Sequence, residues 1–225
     1  MRVYAVLAAV AVLILTAEAA NLRAGPGKET EAERIARLVK QLGDDDFAKR
    51  EAASKELDGI GEPALPALRK AAASSDDPEI RRRAERIVRD IAARALAVAA
   101  KKEIAGLQGA WYSTSTEEGG VRQSGENKAD RHIFSGEKWT HEVGGAVVQS
   151  GTIRIVEVGD KRVKIDFIGT EGIGKGTTWV GLYERSGDEL KWCGSYASQG
   201  LASPAALATK PGDGYFLRSL RREKK

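Results

Sequence analysis

From Glu29 to about Ala105 apolar residues return every three or four positions and β-branched residues rarely cluster, a rhythm that predicts helices. Ile35, Leu38, Val39 and Leu42 form the stripe of a first helix, which stops at Gly43. Asp44 to Asp46 supply caps for a second helix running to Leu57, and Gly59 and Gly61 terminate it. Pro63 suits the first turn of a third helix, and Asp77 followed by Pro78 starts a fourth. In that fourth helix Ile80, Ala84, Ile87 and Ile91 mark one buried face, and the alanine-rich stretch to Ala105 extends it as a rigid connector.

After Gly106 the period shortens to two. Val163, Ile165 and Phe167 face one way while Arg162, Lys164 and Asp166 face the other. Strands are expected near 110–116, 130–134, 138–143, 146–157, 161–168, 177–185, 188–196 and 214–221. Ser135-Gly136, Gly144-Gly145, Gly159-Asp160 and Ser186-Gly187-Asp188 are short hairpin links between them. Successive hairpins without helical crossovers imply an up-and-down sheet that eight strands can close. The expected fold class is α+β in two domains, with short all-α helical hairpins over 29–105 and an eight-stranded antiparallel β-barrel over 106–222.

The first residues differ in kind. Arg2 is a minimal basic start, Val3 to Ala17 is almost unbroken apolar chain, and Ala17-Glu18-Ala19 offers small residues for cleavage. Residues 1–19 read as a signal peptide and 20–28 as a linker, so the mature protein is expected in the periplasm or outside the cell. Fifteen apolar residues fall short of the ~20 that span a bilayer, so no stable membrane insertion is expected after cleavage. With 42% hydrophobic and 30% charged residues the chain as a whole has a globular composition. The formal charge of the full chain, +4, comes from 36 basic and 32 acidic residues spread over both halves. The basic end, which includes the tail 223–225, reads as a solvated terminus, and no nucleic-acid partner is expected. Cys193 is the only cysteine, so stability must come from packing, and its strand-like surroundings make it a sheltered packing residue.

Sliding the helical segment by 31 residues aligns Asp46 with Asp77, Arg50 with Arg81, Ala53 with Ala84, Leu57 with Val88 and Ile60 with Ile91. The pattern resembles the second helix of HEAT-type repeats, in which the aspartate caps, the arginine makes structural polar contacts and the alanine permits close approach. That resemblance implies architecture and a surface on which a protein partner could dock. Two copies fall below the roughly three that a free-standing solenoid needs.

In the second half, Leu107-Gln108-Gly109-Ala110-Trp111, Gly176-Thr177-Thr178 leading to Gly181-Leu182-Tyr183, and Gly187-Asp188-Glu189-Leu190-Lys191 precede a closing strand Leu217 to Arg221. In order and spacing this is similar to an uncharacterised lipocalin-like domain family of planctomycete bacteria, over about 103–222. The family carries no assigned activity to transfer. Gly109-x-Trp111 also resembles the lipocalin opening motif, in which a tryptophan plugs the closed end of the barrel beneath an arginine from the last strand. The resemblance implies that Arg218 or Arg221 supplies that cation.

Catalytic motifs fail one by one. Gly169 to Gly176 nearly fits a phosphate-binding loop, but Gly176 stands where a hydroxyl belongs and the segment leads into a strand instead of a helix. Only His132 and His141 exist, and neither shows a carboxylate or cysteine at a metal-ligand spacing, so no metal or cofactor is expected. No serine lies in G-x-S-x-G, and Glu157, Asp166 and Glu184 read as solvent-facing. An enzyme is therefore not expected. Trp139, His141, Trp179, Tyr183 and Trp192 are the candidates to line the lumen and hold a small apolar or amphipathic molecule. The alternative is an interaction or scaffold protein of the cell envelope that uses its helices, with the aromatic residues filling a solid barrel.

Overall fold

A computed structural model describes residues 29–196 and 200–224; the expected signal peptide, the linker and the last residue of the tail lie outside the described residues. The chain divides into two compact units, one through Ile91 and one from Ala92.

The first unit contains α1 (Glu31–Gln41), α2 (Phe47–Ile60), a 3-10 turn at Glu62–Ala64 that leads into α3 (Leu65–Ser74), and the first part of α4 (Pro78–Leu107). Thr30 caps α1 in a reciprocal box with Glu33. The repeat spacing shows up as repeated chemistry. Asp46 accepts from the Ala48 N–H and Asp77 from the Glu79 N–H, while Arg50 holds the Asp44 carbonyl at 2.6 Å and Arg81 holds the Ser75 carbonyl at 2.5 Å. Each arginine reaches back over its own helix start to satisfy loop carbonyls that would otherwise lack donors. Ile35, Leu38, Leu42, Ala53, Leu57, Leu68, Ala84, Ile87 and Ile91 share the core. Arg83 is buried beside it, donating to Glu79, Glu51 and Ser54.

In the second unit Leu96, Ala100, Ile104 and Leu107, spaced by four, four and three, lie on one face of α4 and pack against the barrel core. For that reason the boundary between units falls at Ile91, inside α4, and not near Ala105. The strands are β1 (Gly109–Glu118), β2 (Val121–Ser135), β3 (Lys138–Val143), β4 (Ala146–Val158), β5 (Val163–Gly172), β6 (Thr178–Ser186), β7 (Glu189–Tyr196) and β8 (Phe216–Arg222). Each pairs antiparallel with the next, and β8 returns to β1, closing the barrel. The protein is thus α+β, and its second unit is consistent with a lipocalin-like fold. Among the described residues no helix is long and apolar enough to cross a membrane.

The main departure from expectation is β2, which begins nine residues early. Val121 to Ala129 are all exposed, so the two-residue burial pattern that betrays a strand is absent there. Pairing with β1 makes this stretch a strand instead. The segment resembling a phosphate loop is the β5–β6 turn, where the Gly176 N–H donates to the Gly169 carbonyl. The long β7–β8 connection covers the outer face of β7, where the buried Cys193 thiol lies 3.7 Å from the Ala208 carbonyl.

Candidate functional site

The closed end of the barrel is sealed by Trp111, which is fully buried. Its indole N–H donates to the Leu107 carbonyl at 2.7 Å. The cation stacked on the ring, 4.0 Å from its centre, belongs to Arg222, not to Arg218 or Arg221. Arg222 also donates to the Gln108 carbonyl and, at 2.7 Å, to that of Gly106. One guanidinium therefore covers the indole and satisfies carbonyls left over where α4 ends, where the helix dipole favours positive charge. Gly109 starts β1 with φ of 104°, and a Cβ there would sit 3.5 Å from Arg222. Arg221 has the opposite parity to Arg222 and lies outside the barrel against Glu126. Arg218 shares that parity but sits four residues nearer the other end.

Just above this seal the lumen is filled. Leu107, Phe134, Ile165, Phe167, Tyr183, Leu190, Trp192 and Leu220 leave only about 10 Å3 between them, about the space of a single water. Tyr183, expected among ligand contacts, belongs to this floor. Its hydroxyl donates to Glu103 of α4 at 2.8 Å, and burial, then Glu103, push its pKa far up. Beside it a larger and mostly polar hollow of about 300 Å3 opens between Glu103, Asp160, Lys161, Tyr183 and Arg185.

The open end keeps a chamber of about 80 Å3, lined by Glu118, His132, Trp139, His141, Gln149, Trp179, Trp192, Phe216 and Arg218. Trp139, His141, Trp179 and Trp192 thus share one space. Strand register assembles the polar part of this site. His132 of β2 pairs directly with His141 of β3 and Phe134 with Trp139 across the same hairpin, so the two imidazoles stack, centroids 4.5 Å apart and planes 6° from parallel. Asp130, two residues before His132, shares its face. His141 Nε2 donates to the Asp130 carboxylate at 2.7 Å, and Arg218 of β8 donates to its other oxygen at 3.1 Å. The expectation that no carboxylate stands at a metal-ligand spacing from either histidine is corrected, since the ligating atoms of Asp130, His132 and His141 lie within 4.8 Å of one another. Pairing of β2 with β3 brings His141 to Asp130, a proximity that spacing along the sequence does not display.

Burial by itself raises the Asp130 carboxyl, but the His141 hydrogen bond and the Arg218 charge outweigh it and hold the group below its ordinary range. For His132 the burial, then His141 and Arg218, keep the imidazole well below its ordinary 6.5, so the ring is neutral. The indole N–H of Trp139 donates to its Nδ1 at 3.1 Å, which leaves the ring proton on Nε2. That nitrogen lies 4.0 Å from Asp130 and has no hydrogen-bond partner among the described residues. The indole N–H of Trp192 has none either. Room for that indole comes from Gly181, where a Cβ would stand 2.3 Å from the Trp192 nitrogen. Glu157, Asp166 and Glu184 do not line the chamber; Asp166, buried where exposure was expected, pairs with Arg154 at 2.5 Å.

A β-bulge at Thr114 sets the mouth. Between Ser113 and Ser115 the pairing of β1 with β8 slips by one residue, which reverses the facing of the residues beyond it. Glu118 consequently lines the chamber, while Glu117 turns to the β7–β8 connection and accepts from the Thr209 hydroxyl at 2.8 Å.

Compared with known proteins, the chain matches no protein family, no curated protein and no solved structure. The functional reading therefore rests on the site alone.

Proposed function

We propose that this protein is an exported, non-catalytic binding protein that holds a small molecule in the open-end chamber of its barrel. The observation that carries the proposal is that chamber of about 80 Å3, to which His132, His141, Gln149 and Arg218 bring polar groups. The aromatic walls of Trp139, Trp179, Trp192 and Phe216 add apolar surface around it. Because the floor is filled, the ligand is smaller and more polar at one end than a large apolar cargo would be. Export rests on the N-terminal basic, apolar and small-residue order.

The test is native mass spectrometry of the mature chain purified from its own producer. The expected result is a mass beginning near Ala20 with a co-purifying small molecule that leaves on denaturation. A protein beginning at Met1 sinks the export reading. A purely unliganded mass, together with no shift in melting temperature across a panel of small metabolites, sinks the binding reading. Co-purification of a protein instead would transfer the function to the helical unit.

A further inference from the structure

We propose that the chamber takes a small organic cation, a primary ammonium carried on a short carbon chain, and that Glu118 is the group that holds its charge; this inference rests on the binding reading above.

An occupant meets the side chains that keep accessible surface. Trp139, His141, Trp179 and Trp192 are buried and stand behind the others, whereas Gln149, Phe216 and Arg218 are half-buried and Glu118 is exposed. Arg218 donates to Asp130 at 3.1 Å, so its charge is already met by a carboxylate. Glu118 borders the chamber and has no ion-pair partner among the described residues. Two acids therefore stand against one guanidinium here, and His132 is neutral. The excess charge that an occupant can reach is negative, which favours a cation and opposes a carboxylate.

Hydrogen bonding points the same way. His141 Nε2 donates to Asp130, so its Nδ1 is the acceptor for the Gln149 amide N–H at 3.3 Å. That bond turns the Gln149 carbonyl oxygen away from His141, to a place beside Gly174 and the Trp179 ring, where a Cβ on Gly174 would stand 2.6 Å from it. The two side chains that an occupant can engage without breaking a bond thus offer oxygen acceptors, a carboxylate on Glu118 and a carbonyl on Gln149. An ammonium carries three donors and no acceptor, and so complements both. The rings behind them attract a cation through their π faces. Trp139 meets Trp179 at 69° and Trp192 meets Phe216 at 86°, so ring planes of two orientations border the space.

Size sets the head group. A space of about 80 Å3, against the ~30 Å3 that one water takes in the liquid, encloses an ammonium and its first carbon atoms. Glu118 and Phe216 also border a second hollow of about 290 Å3, formed with Lys210, Asp213 and Tyr215 along the β7–β8 connection. Lys210 and Asp213 add one charge of each sign, which leaves the excess negative. Glu118 stands where the two spaces meet, so an ammonium held there can send its carbon chain into either.

The experiment uses the full mature chain, 15N-labelled, with nuclear magnetic resonance of its backbone N–H groups. The probes are n-propylammonium chloride, sodium butyrate and butyramide, which share a propyl chain and differ in head group, compared at equal ionic strength. Propylammonium is expected to shift the Glu118, Gln149 and Phe216 resonances in a saturable way, while the other two leave them unmoved. Glu118→Gln, which keeps the shape and removes the charge, should weaken propylammonium about tenfold. If that variant does not fold, added sodium chloride should weaken propylammonium on the parent chain, because salt screens an exposed charge pair. Saturable binding of butyrate or butyramide in place of propylammonium overturns the cation assignment but leaves the binding reading standing. Propylammonium binding that Glu118→Gln leaves untouched overturns the role of Glu118. If no probe moves these resonances, the assignment falls; the binding reading falls with it only if the chain from its producer is also unliganded.

Discussion

Both units use arginine to satisfy carbonyls at helix ends, but over different distances along the chain. In the helical unit Arg50 reaches six residues back and Arg81 does the same, so the contact is written into a short repeated word. In the barrel Arg222 reaches back 116 residues to Gly106, and the contact exists only once β8 has closed on β1. The first kind supports a helix as soon as it forms. The second reports that the ring is complete, so its loss is felt by the whole barrel.

The largest expected effect follows from that difference. Trp111→Ala should destabilise the barrel by about 3–5 kcal/mol, the range for a buried large aromatic. All four tryptophans lie in the barrel, so fluorescence in a urea titration follows that unit alone, while circular dichroism at 222 nm also follows the helices. The fluorescence midpoint should drop well below that of the parent; a shift matching less than ~1 kcal/mol would show that Trp111 is not the keystone.

Acid should come next. Burial, then His141 and Arg218, make His132 resist protonation in the folded chain against the opposing pull of Asp130, while the unfolded chain accepts a proton near 6.5. Stability is therefore complete above about pH 6.5 and falls as pH drops below it, by up to ~1.4 kcal/mol per pH unit. Melting temperatures from pH 7.5 to 5 should show this decline, and His132→Phe should flatten it. An equally steep decline in the variant would assign it to other groups.

A smaller and purely local loss is expected in the helices. Asp77→Ala removes the acceptor for the Glu79 N–H and should cost about 0.5–2 kcal/mol. It should lower the 222 nm transition and leave the tryptophan transition in place. Smallest of all, the Cys193 thiol, pushed up to about 11 mainly by burial, should react with a disulfide reagent at pH 8 only after unfolding. Prompt labelling of the native protein would mean that the β7–β8 connection opens readily.

The same contrast explains what was legible in the sequence. Caps, the 31-residue echo and the alternating strands act within a few residues, and all of them could be read. Trp111 could be placed from its neighbours, but its arginine could not, because the choice among Arg218, Arg221 and Arg222 depends on the register and extent of β8. Parity excludes Arg221 once Arg222 is fixed, since neighbours on a strand face opposite ways. The polar cluster carried a faint signal. Asp130 and His132 are two apart, and a hairpin about Gly136 that pairs Phe134 with Trp139 must also pair His132 with His141. The early start of β2 carried none, since Val121 to Ala129 bury nothing.

The bulge at Thr114 divides β1 into two halves of opposite facing, and this bears on how the protein can change over time. Glu117 and Glu118 are adjacent, yet one fastens the β7–β8 connection and the other borders the chamber mouth. Variation at Glu118 can alter which molecules enter while the connection stays fastened, and variation at Glu117 can loosen the connection without altering the mouth. Deleting Thr114 would remove the slip, but each residue beyond it keeps its partner on β8, so the two roles would stand unchanged.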